Sequence, residues 1–346
     1  MVQVPSRTLG VGATCPLEVS AVGLGCMGFS HGYGPGPDWD KSVDLIRRAH
    51  AMGYSFFDTA EGYGSGHNER LVGEAVAPFR SEVVLATKLH IPETAMDSRA
   101  KYDLYGVVRE HLEASLKRLA TDYVDLYYQH RMNHTITPEA VAEVMGRLID
   151  EGLIHGWGQS QSTPEEIKRG YGACPLTAVQ SEHSMMERMF ESEVIPLCGQ
   201  LGIGFVAFSP MSGGFLSGKY APKEQSEYLG DDVRRGITRY NKANMEANEP
   251  LLELLDQVAA KKGATKAQIA LAWMLDRHDF VVPIPGARRL DRLQENLGAA
   301  VVRLSASELE ALDNALAVIE VHGNRTDEDI MALYANEETN PTRLTT

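Results

Sequence analysis

Asp58, Tyr63, Lys88 and His130 carry side chains suited to proton chemistry, and they fall at the carboxyl ends of three consecutive β-rich runs. Asp58 and Tyr63 follow the second run of the chain, Lys88 the third and His130 the fourth. Their parity agrees. In Phe56/Asp58, Val84/Ala86/Lys88 and Leu126/Tyr128/His130 the polar residue stands in line with apolar ones, so it shares their strand face. A charge at the end of an inward-facing row is costly unless it is paired. An Asp58–Lys88 ion pair, with Tyr63 hydrogen-bonded to the lysine, satisfies all three. Reducing a carbonyl requires an acid to protonate the alkoxide that develops as hydride arrives. A free phenol, with a pKa of about 10, is too weak for that at neutral pH. An ammonium about 4 Å away contributes at most ~4 kcal/mol at an effective dielectric near 20, enough to bring a phenol's ionisation towards neutrality. In this arrangement Asp58 keeps Lys88 charged and in place, Tyr63 gives the proton, and His130 orients the substrate oxygen. Singly, each residue has a plainer reading: a loop cap, turn packing, a solvated lysine, a core histidine. Their joint placement on three adjacent strands favours chemistry.

The elements that must position them are legible as an alternation. Strand-like runs at Ser20–Gly25, Ser55–Asp58, Val83–Lys88, Tyr123–Gln129, Leu153–Gln159, Leu176–Gln180, Ile203–Ser209 and Phe280–Pro283 are separated by helical stretches. Amphipathic helices are expected at Ser42–Met52, His67–Ala77, Leu104–Leu119, Glu139–Glu151 and Thr265–Arg277, among others. Eight β/α units with no linker between halves predict an α/β fold, a closed (β/α)8 TIM barrel, whose strand ends meet on one rim where barrel active sites lie. A doubly wound open sheet is the alternative. Arg7–Val19, with Gly10 and Gly12, predicts an N-terminal β-hairpin capping the barrel floor. Leu304–Val318 predicts an extra C-terminal helix, with Ser305 and Glu308 as its cap pair. The tail is polar apart from a short amphipathic piece at Ile330, Leu333 and Tyr334. The whole of 1–346 is thus expected to be one domain, the barrel over about 19–304 and a C-terminal extension over about 305–346.

Two nucleotide motifs fail on inspection. Gly23, Gly25 and Gly28 match GxGxxG, but the chain continues through a Gly/Pro-rich stretch to Pro37, where a dinucleotide fingerprint needs a helix. Gly213–Lys219 nearly matches a P-loop. Tyr220 stands where the Mg²⁺-binding hydroxyl belongs, and Pro222 blocks a following helix. There is no HExxH, no zinc spacing and no Tyr-x-x-x-Lys. A net charge of −14 and a pI near 5.3 disfavour nucleic acid and anionic membranes as partners. Arg7, Pro5 and Pro16 interrupt the start of the chain, so no leader is expected, and no run is long and apolar enough to cross a bilayer. Cys15, Cys26, Cys174 and Cys198 form no CxxC pair, which points to a reducing, cytoplasmic setting.

Several ordered segments resemble the aldo-keto reductase family: Phe56–Gly64 (FFDTAEGYG), Leu85–Lys88 (LATK), Asp125–His130 (DLYYQH), Ala178–Ser181 (AVQS), Phe205–Pro210 (FVAFSP) and Ile284–Arg288 (IPGAR) with Glu295 and Asn296. The resemblance runs from about Leu9 to Leu304. It implies an Asp58/Tyr63/Lys88/His130 tetrad and an NADP(H)-dependent oxidoreductase acting on a small-molecule carbonyl or alcohol, with the cofactor extended across the rim. By the same resemblance Ser160, Gln161 and Gln180 bind the nicotinamide carboxamide and Phe208 stacks on its ring. Ser209, Met211, Gly213, Gly214 and Lys219 lie along the pyrophosphate, and Gln294, Glu295 and Asn296 face the adenosine. Arg288, Arg289 and Arg292 follow the last strand at a helix start, where a phosphate gains guanidinium forks and free N–H groups. In an acidic chain this cluster favours NADP(H) over NAD(H). The sequence departs from some relatives in having Gly286 and Ala287 in place of a lysine and a hydroxyl residue, and Gln161 in place of Asn or Glu. Cys26 and Met27, with Tyr63 and His130, are expected at the substrate. Trp39, Tyr128 and the loop Val233–Tyr240 are expected farther out, around a substrate with an apolar or aromatic body. Met185, Met186 and Met189 read as packing, and Arg234, Arg235 and Arg239 as a solvated loop face. The resemblance leaves one alternative, an NADP(H)-binding regulatory or auxiliary subunit of the same fold with little turnover. Oligomeric state is not legible.

Overall fold

The computed structural model of the chain describes residues 4–92 and 99–324, so the piece at Ile330, Leu333 and Tyr334 lies outside the described residues. The strands are β1 (Ser6–Leu9), β2 (Leu17–Ser20), β3 (Leu24–Gly25), β4 (Phe56–Asp58), β5 (Val84–Leu89), β6 (Val124–Gln129), β7 (Ile154–Ser160), β8 (Ala178–Glu182), β9 (Gly204–Phe208) and β10 (Val281–Pro283). The helices are α1 (Trp39–Met52), α2 (His67–Val76), α3 (Arg99–Tyr102), α4 (Leu104–Leu119), α5 (Pro138–Asp150) and α6 (Pro164–Ala173). There follow α7 (Val194–Leu201), α8 (Lys242–Ala247), α9 (Glu249–Lys262), α10 (Lys266–Arg277), α11 (Leu290–Gly298) and α12 (Ala306–Val318). Short polar side chains set many of the helix starts. Asp38, Asp103 and Thr137 each accept a first-turn N–H, and Thr163, Thr265 and Ser305 form reciprocal capping boxes with Glu166, Gln268 and Glu308.

Strands β3 to β10 pair in sequence order, all parallel, and the sheet curls until its edges meet. Gly25 bridges to Gly286, and the Gly23 N–H donates to the Pro283 carbonyl at 3.0 Å. A Cβ on Gly25 would stand 2.7 Å from the Ile284 carbonyl oxygen, so only glycine lets the seam close there. The glycines that imitate a nucleotide fingerprint therefore serve the barrel seam. Ser20–Gly25, which reads as one strand, is divided: Leu17–Ser20 pairs with β1, and only Leu24–Gly25 joins the barrel. The division is local, because the Ser20 hydroxyl donates to the Val22 carbonyl and turns the chain.

Period-two alternation sorts the interior into two cores. Phe56, Val84, Ala86, Leu126, Tyr128 and Val206 fill the lumen, while Phe57, Leu85, Leu89, Tyr127 and Phe205 face the helical shell. The β1–β2 hairpin closes the floor by adding Leu9, Leu17 and Val19 to the lumen cluster. No helix among the described residues is long and apolar enough to cross a membrane.

Within the shell, burial pulls the His183 imidazole down to about 3, with its ring packed 5.3 Å from Trp273 and 6.0 Å from Phe205. An unfolded chain takes up this proton near pH 6.5, before the folded one does, so His183 makes stability fall as pH drops from about 6.5 towards 3. We expect His183→Phe to flatten that part of the curve, read as urea midpoints between pH 7 and 4. Parallel curves for the two proteins would exclude the effect.

Candidate active site

The tetrad assembles at the carboxyl-terminal rim. β4 ends at Asp58, β5 carries Lys88 next to last, and His130 is the first residue beyond β6. Tyr63 lies in the turn that follows β4, and this turn is stitched to the neighbouring strand. The Thr59 and Glu61 N–H groups donate to the carbonyls of Ala86 and Lys88 at 2.9 and 3.1 Å. The Thr59 hydroxyl donates to Asn68 of α2 at 2.6 Å, and the Asn68 amide donates to the Cys26 carbonyl at 2.8 Å.

Lys88 Nζ donates to the Asp58 carboxylate, to the Thr59 carbonyl at 2.8 Å and to Tyr63 Oη at 3.5 Å. The second Asp58 oxygen accepts from Gln180 Nε2 at 2.8 Å. Both members of the ion pair are buried. Such a pair is tolerated away from water because the remaining donors and acceptors are also occupied. Burial pushes the Asp58 carboxyl up, and Lys88 and Gln180 hold it back. Burial opposes the Lys88 ammonium, but Asp58 and then Tyr63 outweigh it and raise its pKa. His130 lies edge-on to Tyr63, ring centroids 5.7 Å apart. Burial, then Arg131, Lys88 and His90, pull its pKa well below the ordinary imidazole value, so the ring is neutral at pH 7. Its Nδ1 is buried without a protein partner, which favours the tautomer with the proton on Nε2, leaving no buried donor unmet.

A second set of groups backs these residues. Glu61 accepts from the His90 N–H at 2.8 Å through one oxygen and meets His111 Nδ1 at 2.9 Å through the other. The His90 ring lies 4.3 Å from that of His130. On the opposite side His31 stacks 6.5 Å from Tyr63 and pairs with Asp231 at 2.8 Å. Sequence reasoning missed His90 and Arg131. Both signals were present, because His90 continues the inward parity of Lys88 and Arg131 directly follows His130.

The residues expected at a nicotinamide cofactor lie around the same rim. Ser160 ends β7 and is buried, with Arg131 Nη1 at 3.4 Å from its hydroxyl. Gln161 takes a positive φ of 57°, and its side-chain oxygen accepts from the Glu182 N–H at 3.3 Å. Phe208, at the end of β9, is half-buried against the lumen cluster, and Met211 is half-buried against the shell core. Among the described residues five non-glycine ones have positive φ, and four of them, Ser65, Gln161, Ser209 and Ser212, follow strand ends at this rim. Strain of that kind collects at functional sites. Gly213 and Gly214 also have positive φ, 58° and 96°, in the turn after β9. Lys219 and Arg292 converge on Glu295, at 3.1 and 2.6 Å, and so bridge that turn to α11. Burial pushes the Glu295 carboxyl up, but bonds from Arg292, Thr265 and Lys219 prevail and hold it below its usual range. Arg289 is exposed and paired with Asp291, whereas Arg288 donates to the neutral carbonyls of Pro35 and Tyr33 at 3.0 and 3.3 Å. The N-terminus of α11 has no side-chain cap. Gln294 is exposed on that helix and Asn296 buried in it.

The residues expected around a substrate differ in burial and partners. Cys26 is buried, with its thiol donating to the Leu24 carbonyl at 3.6 Å. Tyr128 is buried in the lumen. Trp39 opens α1, and its indole N–H donates to Glu74 of α2 at 2.9 Å, which holds it in a helix–helix contact. Met27 is half-buried and lies against Gly32. The loop Val233–Tyr240 does come to the rim: the Val233 N–H donates to the Gly32 carbonyl at 3.0 Å. Its arginines are not all a solvated face. Arg234 pairs with Asp232 at 2.6 Å and lies over Tyr33, Tyr220 and Tyr228, and Arg239 is buried against Glu187. Only Arg235 stays exposed. Met185 and Met186 are buried, as packing requires.

Comparison with known proteins agrees with this architecture. The family model described as "Aldo/keto reductase family" matches residues 21–317. A probable aldo-keto reductase 1 from Glycine max is 36% identical over 314 residues, covering 89% of this chain and 88% of that protein. Among solved structures, the glycerol dehydrogenase from Gluconobacter oxydans superimposes with a TM-score of 0.79 at 26% identity, covering 92% of this chain and 96% of the other. An aldo/keto reductase from Klebsiella pneumoniae in complex with NADP and acetate does so with a TM-score of 0.69 at 25% identity, covering 93% and 99%. With eight parallel strands closed on a hairpin-plugged lumen, and this extent of similarity, the chain belongs to the aldo/keto reductase family of oxidoreductases.

Proposed function

We propose that this protein reduces aldehydes or ketones to alcohols using NADPH, with Tyr63 as the general acid. The observation that carries the reading is the buried Asp58–Lys88 pair bonded to the Tyr63 hydroxyl, with a neutral His130 beside it. The donor set suits a nicotinamide dinucleotide phosphate: uncapped N–H groups at α11, flanking arginines, Lys219, and amide side chains at the ends of β7 and β8. Ser160, Gln161 and Gln180 would hold the carboxamide, and Phe208 the nicotinamide ring. Ser209, Met211, Gly213, Gly214 and Lys219 would follow the pyrophosphate, and Gln294, Glu295 and Asn296 the adenosine. NADPH held by these residues would supply the hydride for the carbonyl carbon. His130 Nε2–H and the Tyr63 hydroxyl address the carbonyl oxygen, Tyr63 passes its proton to that oxygen, and solvent restores the phenol. Lys88, fixed by Asp58, stabilises negative charge on Tyr63 while the proton is away.

Arg288 is the best candidate for the 2′-phosphate. Arg292 and Lys219 already share Glu295 and Arg289 has Asp291, but the partners of Arg288 are neutral carbonyls. We expect Arg288→Ala to weaken NADPH by about tenfold or more, the scale of a charge-assisted bond, and NADH far less. Fluorescence titration of both cofactors checks this, and equal losses would remove the phosphate role. The overall reading is tested by NADPH consumption with a reactive aromatic aldehyde. Tight NADPH binding without turnover would favour an auxiliary nucleotide-binding subunit instead.

A further inference from the structure

We infer that Glu61 is a positioning residue for the reaction, the carboxylate that fixes the turn carrying Tyr63 against the end of β5 and against α4. The inference rests on the reading of Tyr63 as proton donor and adds what holds the phenol in place. Between β4 and α2 the stretch 60–66 has glycine at 62, 64 and 66, and Gly64, Ser65 and Gly66 take positive φ. A backbone so rich in glycine does not by itself fix a side chain. The Tyr63 N–H donates to the Ala60 carbonyl at 3.2 Å, a bond within the turn, and the Tyr63 carbonyl accepts from the Asn68 N–H of α2 at 3.3 Å. On the barrel side the hold comes from Glu61.

Glu61 bonds outside its own turn through both backbone and side chain. Its N–H donates to the Lys88 carbonyl at 3.1 Å, one carboxylate oxygen accepts the His90 backbone N–H at 2.8 Å, and the other meets His111 Nδ1 of α4 at 2.9 Å. The side chain is 14% exposed, so these bonds are largely shielded from water. Bonding to Glu61 raises the pKa of the His111 imidazole against the pull of burial, which gives the arm to α4 charge as well as a hydrogen bond. The turn then runs across the His90 ring: a Cβ on Gly62 would stand 4.0 Å from it, and that ring lies 4.3 Å from His130. The tolerance is small. Tyr63 Oη is 3.5 Å from Lys88 Nζ, at the long end of hydrogen-bond geometry, so a further shift of the turn parts the phenol from the ammonium. Glu61 also stands two residues before a phenol that must carry negative charge. An uncompensated carboxylate there would oppose that charge, and the His90 N–H and His111 take it up. Thr59 holds the start of the turn separately, through Ala86 and Asn68, so the fold does not depend on Glu61.

The test follows NADPH consumption with a reactive aromatic aldehyde in wild type, Glu61→Ala, Glu61→Gln, Tyr63→Phe and the double variant Glu61→Ala/Tyr63→Phe. Glu61→Ala should lower kcat by about 10- to 100-fold, the range that a misplacement of about 1 Å costs, with NADPH affinity within about threefold of wild type by fluorescence titration. Glu61→Gln should keep kcat within about threefold, because its amide accepts from the His90 N–H through oxygen and donates to a neutral His111 through nitrogen. On the Tyr63→Phe background Glu61→Ala should change the residual rate by less than about threefold, since a group that acts through the phenol then has nothing to act on. Hydrogen exchange of the protein without cofactor should be faster over residues 60–66 in Glu61→Ala than in wild type, and unchanged in Glu61→Gln. A wild-type kcat in Glu61→Ala, a loss as large on the Tyr63→Phe background as on wild type, or a Glu61→Gln as slow as Glu61→Ala overturns the inference while leaving the reductase reading intact. Should Glu61→Ala fail to fold, His111→Leu cuts only the arm to α4, and a loss of about threefold or more that disappears on the Tyr63→Phe background is expected in its place. Full activity of Tyr63→Phe alone would remove the proton-donor reading, and this inference with it.

Discussion

Tyr63→Phe should lower kcat for aldehyde reduction by a factor on the order of 10³, within the usual contribution of a positioned general acid. The substitution is close to a single-atom test. The ring keeps its edge-on contact with His130, and Lys88 retains Asp58 and the Thr59 carbonyl when it loses the phenolic oxygen at 3.5 Å. No described cofactor candidate bonds to the Tyr63 hydroxyl, so NADPH affinity should stay within a few-fold, measured by fluorescence titration. This split separates chemistry from binding. A variant keeping a third or more of wild-type kcat would exclude Tyr63 as proton donor. A parallel loss of cofactor affinity would point instead to a collapsed rim.

The parts of this molecule that were legible in advance are those governed by strand periodicity. Inward parity at Phe56, Val84 and Leu126 put Asp58, Lys88 and His130 on one face, and the structure brings their side chains together with Tyr63. Helix starts were legible for a related reason, since a capping box such as Ser305/Glu308 is a local signal read over one turn. Features created by contacts distant in sequence were not legible. Cys26 and Trp39 stand near the rim in sequence order, yet the thiol turns inward to Leu24 and the indole is held by Glu74, 35 residues along the chain. Arg234 resembles a solvated loop charge until Tyr33 and Tyr220 are brought to its faces by two separate loops. The glycines of the false fingerprint show the same limit. Their reason lies at Ile284 and Gly286, across a seam that only the closed barrel creates.

Lys88→Met should abolish turnover and also destabilise the fold, and the second effect distinguishes it from Tyr63→Phe. Removing one member of a buried ion pair strands the other, a loss of about 3–5 kcal/mol where such pairs have been broken. Here the stranded group would be the Asp58 carboxylate, left in the lumen with the Gln180 amide at 2.8 Å as its remaining side-chain donor. Burial already pushes that carboxyl up, and without the ammonium it should take a proton and become neutral. The double variant Asp58→Asn/Lys88→Met removes both charges. It should recover much of the lost stability, because replacing a whole buried pair is often neutral. Activity should not return, since nothing then stabilises charge on the Tyr63 oxygen. Urea midpoints and kcat for wild type, both single variants and the double variant decide the matter together. Recovery of stability without activity would mean that the pair is kept for its effect on Tyr63 at a cost to the fold. If Lys88→Met alone were as stable as wild type, the lysine would not be compensating Asp58, and the ion-pair account of the site would be wrong.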